Sequence, residues 1–211
     1  MHRTPIAALA ALALALAGPP LAPAAPLLPG DTLSPVPPLD PPQGSVAGHV
    51  DAAFQSTAGP PFTGTLSEDV LRKADGTLAF VYRLSNASAP PTLLTGAGLS
   101  DYGTFATDVG ISGTGVAPGS VSRSGGAGAT VTFAFSPGVG TGAASTLLVV
   151  DTDATAFGLG AVDLTGTGGA AAGVAVLGPT PAPEPGTLTL LLAGLPLLGA
   201  AGYRRWRRAT A

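Results

Sequence analysis

Leu78-Ala79-Phe80-Val81-Tyr82-Arg83-Leu84-Ser85, written LAFVYRLS, decides the fold class. Leu78, Phe80, Tyr82 and Leu84 fall on one side of an extended chain, and Ala79, Val81 and Arg83 on the other. A period of two built from aromatic and branched side chains is the pattern of a half-buried β-strand. Just before it, TLSEDVLRK (65–73) is followed by Asp75-Gly76, a pair suited to a hairpin turn. Further along, TFATDVGI (104–111) groups Phe105, Thr107, Val109 and Ile111, and TVTFAF (130–135) groups Val131, Phe133 and Phe135. VAGHVDAAF, PTLLTGAG, STLLVVDTD, LGAVDLTG and AGVAVLG read as further strands. Turn signals punctuate them at Pro90-Pro91, Pro118-Gly119, Gly125-Gly126 and Pro137-Gly138. No amphipathic helix and no tandem repeat interrupt the series. The expectation is an all-β, antiparallel β-sandwich of about 8–9 short strands over residues 46–178.

Charge narrows the function. Between Val46 and Gly178 lie nine acidic and four basic residues, a net of −5. An acidic domain without a basic patch repels phosphate backbones, so nucleic acid is not an expected partner. The absence of cysteine removes disulfides, thiolate metal sites and cysteine nucleophiles. Gly 31 and Pro 22 enrich the chain in turn formers. The prolines cluster, ten between Pro19 and Pro42 and five between Pro179 and Pro196, so they mark flanking segments. Residues 25–45 read as an extended, water-exposed linker.

Few residues suggest chemistry. His49 is the one histidine of the region after residue 24, and no nucleophile-elbow motif accompanies it. The plain reading is a polar residue on the outer side of a first strand. Asp151 and Asp153 place two carboxylates at a strand end, where Asp101 and Asp108 would join only if the fold brought them near. A hard cation needs six to eight oxygens, more than this segment offers. The Gly/Thr stretches 110–115 and 165–169 lack the Lys-Ser/Thr of a phosphate loop and read as turns. Asn86-Ala87-Ser88 matches a glycosylation acceptor, a triplet common by chance. Tyr82 and Tyr102 are the aromatics left for stacking on sugars once Trp206 is assigned to the tail. No catalytic residue, metal ligand or cofactor site is expected, and the domain reads as non-enzymatic.

The two ends carry addresses. MHRTPIAALAALALALAGPPLAPAAP has a basic start, a 12-residue apolar run from Ile6 to Ala17, and small residues at Ala15/Ala17 or Ala22/Ala24. This is the layout of a secretory signal peptide, read as a signal helix over residues 1–24. At the other end, Gly186 to Gly202 gives 17 residues without a charge, followed by Tyr203-Arg204-Arg205-Trp206-Arg207-Arg208. At about 1.5 Å per residue a helix there spans roughly 25 Å, a little under the hydrocarbon thickness. Thinning or arginine snorkelling closes such a gap. The arginines belong on the cytoplasmic side, with Tyr203 and Trp206 at the interface. A single transmembrane helix over 186–202 with a basic tail over 203–211 is therefore expected.

Pro183-Glu184-Pro185, then that span, then Arg204, Arg205, Arg207 and Arg208, resembles the PEP-CTERM sorting signal of Gram-negative bacteria. The resemblance covers residues 179–211. It implies that Pro183, Glu184 and Pro185 are recognised by an exosortase, and that the four arginines are membrane-retention charges. It implies an exported protein, held transiently in the inner membrane and passed to the cell surface or exopolysaccharide matrix. Exosortase, membrane and exopolysaccharide are the partners it suggests. Two alternatives share these features: a polysaccharide- or Ca²⁺-binding adhesion module, and a permanently anchored single-span envelope protein. A secreted hydrolase would need carboxylates converging with His49 in a cleft.

Overall fold

The computed structural model describes residues 25–87 and 92–182. Twelve strands follow in order: β1 (Ala25–Pro26), β2 (Thr32–Leu33), β3 (Gly44–Gln55), β4 (Thr63–Lys73), β5 (Leu78–Asn86), β6 (Leu94–Leu99), β7 (Thr107–Ser112), β8 (Ser120–Arg123), β9 (Val131–Val139), β10 (Leu147–Thr152), β11 (Ala156–Gly166) and β12 (Ala170–Thr180). They form two six-stranded sheets, ordered β1-β7-β10-β5-β4-β3 and β12-β11-β6-β9-β8-β2. Every pairing between these strands is antiparallel. The described residues thus form an all-β sandwich, with a single short 3-10 turn among them at Thr167–Gly169.

LAFVYRLS is the middle of the first sheet. β5 lies between β4 and β10, with Phe80 opposite Val70 on one side and Val150 on the other. Leu78, Phe80, Tyr82 and Leu84 enter the core as their spacing requires, while Arg83 stays exposed. Ala79 and Val81 are also buried, so this central strand is covered on both faces for half its length. From the second sheet, Leu99, Val121, Val131, Phe133, Leu164 and Val174 meet this row in one continuous core. Full burial of a side chain such as Phe80 or Phe133 contributes roughly 1.5–3 kcal/mol.

The β4–β5 hairpin closes where Asp75-Gly76 stands. The Gly76 amide donates to Lys73 O (2.9 Å) and the Lys73 amide to Thr77 O (2.9 Å). Gly76 sits at φ +87°, a left-handed conformation that a residue without Cβ adopts cheaply. Asp75 then accepts from both the amide and the hydroxyl of Thr77 (3.0 and 2.7 Å).

Residues 25–45 correct the expectation of a water-exposed linker. They form a strap that closes one side of the sandwich. β1 pairs with β7 and β2 with β8, so a single segment caps an edge of both sheets. Leu27 and Val36 are buried in the core, and Leu39 donates its amide to Ile111 O (2.8 Å). Proline lacks an amide donor, which suits it to a sheet edge as well as to a linker. The buried Leu27 and Val36 make the difference.

The strand count is twelve where about 8–9 were expected, because β1, β2 and β8 were not foreseen. The β7 pattern was expected from residue 104, but the strand itself begins at Thr107. The expected signal helix over 1–24 and transmembrane helix over 186–202 lie outside the described residues. Among the described residues no helix is long and apolar enough to cross a membrane.

Candidate functional site

The sorting residues Pro183, Glu184 and Pro185, and the arginines Arg204, Arg205, Arg207 and Arg208, lie outside the described residues. β12 ends at Thr180, and Pro181 and Ala182 lead from it toward the tripeptide.

Within the sandwich, one cleft of about 220 Å³ collects charged groups: Lys73 and Asp75 from the β4–β5 hairpin, Asp108 from β7, and Asp151 and Asp153 from the end of β10. Antiparallel pairing sets Asp151 directly opposite Asp108. Lys73, two strands away, reaches across to Asp151 Oδ1 (2.6 Å), and both side chains are about four-fifths buried. Asp153 lies just past the strand, where its Oδ1 accepts the Ala106 amide (2.9 Å). Burial raises the pKa of Asp108, the charge of Asp151 adds to the rise, and Lys73 opposes it. Three of the four aspartates considered together from the sequence therefore meet. Asp101 does not join them. It takes a left-handed backbone (φ +74°) and accepts from the Ser100 hydroxyl (2.7 Å).

This arrangement offers hydrogen-bond acceptors and one ammonium to a polar ligand. It is poor as a cation cage: among the described residues no group of three or more His, Cys, Asp or Glu side chains could hold a metal ion. Lys73 already occupies the face of Asp151.

His49 is on the outer face of β3, half-exposed, with Nδ1 2.7 Å from Asp69 Oδ1 and Nε2 3.1 Å from Asp51 Oδ2. Its pKa is raised by the Asp69 hydrogen bond first and Asp51 second. Both ring nitrogens are engaged by carboxylates, so neither is left to activate a hydroxyl. The two tyrosines considered for sugar stacking are a correction: Tyr82 and Tyr102 are fully buried, hydroxyl to hydroxyl at 2.9 Å. Their apolar rings fill the core, and no face is open to a ligand. Asn86 is also buried, its amide nitrogen donating to Thr92 O and Val139 O (both 2.8 Å), which leaves no room for a glycan in the folded chain.

Two buried charged residues were missed from the sequence. Glu68 points from β4 into the core, where Oε2 accepts the Leu177 amide (2.7 Å) and Oε1 has no hydrogen-bond partner among the described residues. Burial pushes its pKa up to about 7, against the opposing pull of the Leu177 amide and the adjacent Tyr82 hydroxyl. Arg123 on β8 is buried among carbonyl oxygens of Gly128, Leu27, Tyr102 and Phe105. A signal for both exists in the sequence. Leu66-Glu68-Val70 and Val121-Arg123 put each charge in phase with an inward apolar row.

The fold thus defines an acidic two-sheet β-sandwich. Comparison with known protein families, curated proteins and solved structures returns no match to this chain.

Proposed function

We propose that this is an exported, exosortase-processed protein of the cell surface or exopolysaccharide matrix, whose β-sandwich serves a non-enzymatic, structural role. The observation that carries the reading is the order of its terminal segment: Pro183-Glu184-Pro185, 17 uncharged residues, then Arg204, Arg205, Arg207 and Arg208. Two prolines hold an extended backbone with few amide donors, which presents Glu184 to an enzyme at the membrane surface. The basic cluster resists translocation and keeps the span in place while processing occurs.

Intact-mass measurement of the native protein from its own cell tests this reading. The expected product lacks residues 1–24 or thereabouts and the segment beyond the Pro-Glu-Pro motif. Glu184→Ala should leave the carboxy-terminal segment attached, and normal processing of that variant would sink the assignment. An unprocessed terminus in the wild type would favour the permanently anchored alternative.

A second reading, a polysaccharide-binding adhesion module, draws on the cleft formed by Lys73, Asp75, Asp108, Asp151 and Asp153. Glycan-array binding that disappears in Lys73→Ala would favour it. A Ca²⁺-dependent rise in Tm would favour the cation form of the same idea.

A further inference from the structure

We propose that Glu68 is a protonation-gated latch across the seam where β4 of one sheet meets the edge strand β12 of the other. In its neutral form it ties the two sheets together, and on ionising it loosens them.

The argument begins with the strand edge. β12 pairs with β11 along its whole length, and among the described residues its other side meets no named strand, although Ala171 bridges to Ala58 near its start. The Leu177 amide is used by the opposite sheet, donating to Glu68 Oε2 at 2.7 Å. An inward-pointing acidic side chain thereby covers part of an edge that would otherwise offer a free donor. The seam is tight here: a Cβ on Gly48 of β3 would lie 2.7 Å from Leu177 Cδ1 and 3.1 Å from the Phe157 ring.

Hydrogen-bond counting then separates the two charge states. A carboxylate presents about four lone-pair sites. Here it receives the Leu177 amide at Oε2 with the Tyr82 hydroxyl alongside, while among the described residues Oε1 is buried without a partner. The neutral acid needs fewer donors and carries a proton of its own. It lies beside the Tyr82 hydroxyl, which is linked to Tyr102 (2.9 Å). An ionised carboxylate in that place is under-solvated and costly to keep.

The Leu177 amide and the Tyr82 hydroxyl favour the ionised form, but less than burial disfavours it. Tyr82 on β5 and Tyr102 in the loop after β6 have pKa values raised by burial, so both remain neutral through the physiological range. Asp69, the next residue on β4, repels the charge, and the half-exposed His49 on β3 attracts it. Asp51 on β3 faces outward beside His49. β12 itself carries no titratable side chain.

The sign follows from linkage. The folded-state pKa of about 7 lies above the ordinary value of 4.5. Stability from the neutral acid is therefore fully present below about pH 4.5 and is lost as pH rises through about 7. The shift corresponds to a change of roughly 300-fold in the opening equilibrium across that window. β12 also leads toward Pro183-Glu184-Pro185, so an open seam adds slack ahead of that motif. That consequence rests on the processing reading, and hydrogen exchange within the sandwich does not involve it.

The test uses the full chain at pH 5 to 8.5, with thermal melts and hydrogen exchange corrected for intrinsic pH dependence. The wild type should lose Tm, and lose protection first in 170–180 and 44–55, as pH rises from 5 to about 7, and should level off above that. Glu68→Gln keeps an acceptor for the Leu177 amide and does not ionise, so its profile should lack this loss. His49 titrates in both proteins, and the difference between them isolates Glu68. A ¹³C-NMR titration of the wild-type carboxyl requires no variant and should show a midpoint near 7. Parallel profiles for the two proteins, or a midpoint near 4.5, would overturn the latch.

Discussion

Arg123 shows what a single buried side chain can organise. Its guanidinium donates to Gly128 O (2.9 Å), Leu27 O (3.0 Å), Tyr102 O (2.6 Å) and Phe105 O (2.8 Å). One side chain thereby joins the strap, the 102–105 loop and the 125–128 turn. Burial lowers its pKa and the Asp153 charge partly restores it, but an arginine stays protonated throughout the working range. The charge is held by carbonyl dipoles, with no direct ion pair among the described residues. Replacing it with methionine fills the space but strands buried acceptors, and each stranded group costs about 1–3 kcal/mol. Arg123→Met should therefore lower stability by about 3 kcal/mol or more in urea unfolding. Arg123→Lys should recover only part of that, since one ammonium cannot reproduce a planar fork. A wild-type midpoint for Arg123→Met would refute this role. The same residue marks a limit of sequence reading: its inward phase was visible in Val121-Arg123, whereas its four acceptors come from segments up to 96 residues away.

At the scale of elements, long strands announced themselves and short ones did not. β4, β5, β9, β11 and β12 carry enough alternating positions for the period to show. β8 has four residues, and β1 and β2 have two each, too few for any period. The strap that contains β1 and β2 lies against β7 and β8. A Cβ on Gly110 would overlap Leu39 Cβ and approach Pro37 O (2.9 Å), so glycine is what lets the strap lie flat against the sheet. Gly110→Val should lift residues 36–40, giving faster proteolysis there while β10 keeps its hydrogen-exchange protection. The cost of such overpacking is about 1–3 kcal/mol. Unchanged proteolysis of the strap would show that this contact does not hold it. The cleft teaches a related lesson. Asp151 and Asp153 were legible as a pair, while Asp108 and Lys73 joined them through strand order, which local sequence does not encode.

For the whole molecule, the core is continuous from Leu27 to Val176 and draws on both sheets. Among the described residues, the strap and both sheets supply that cluster. A fragment of residues 25–182 should therefore fold by itself and melt cooperatively within about 2 °C of the full chain in detergent-free buffer, as a small single core does. A fragment lacking a cooperative transition would mean that the terminal segments are part of the folding unit. The fragment should keep the pH response of the Glu68 seam too, since Leu177, Tyr82, Asp69 and His49, which act on that carboxyl, lie within it.

By itself, the sequence determined an all-β chain: alternation with a period of two is a local property, written in each strand and readable without partners. It also determined the acidic balance of the domain and the order of charged and apolar blocks at its ends. Tertiary structure alone decided that a proline-rich strap belongs to the core, that Tyr82 and Tyr102 face each other in the interior, and that Glu68 meets Leu177. Those outcomes depend on which segments become neighbours, and neighbours 20 to 109 residues apart are chosen by the packing of the complete core.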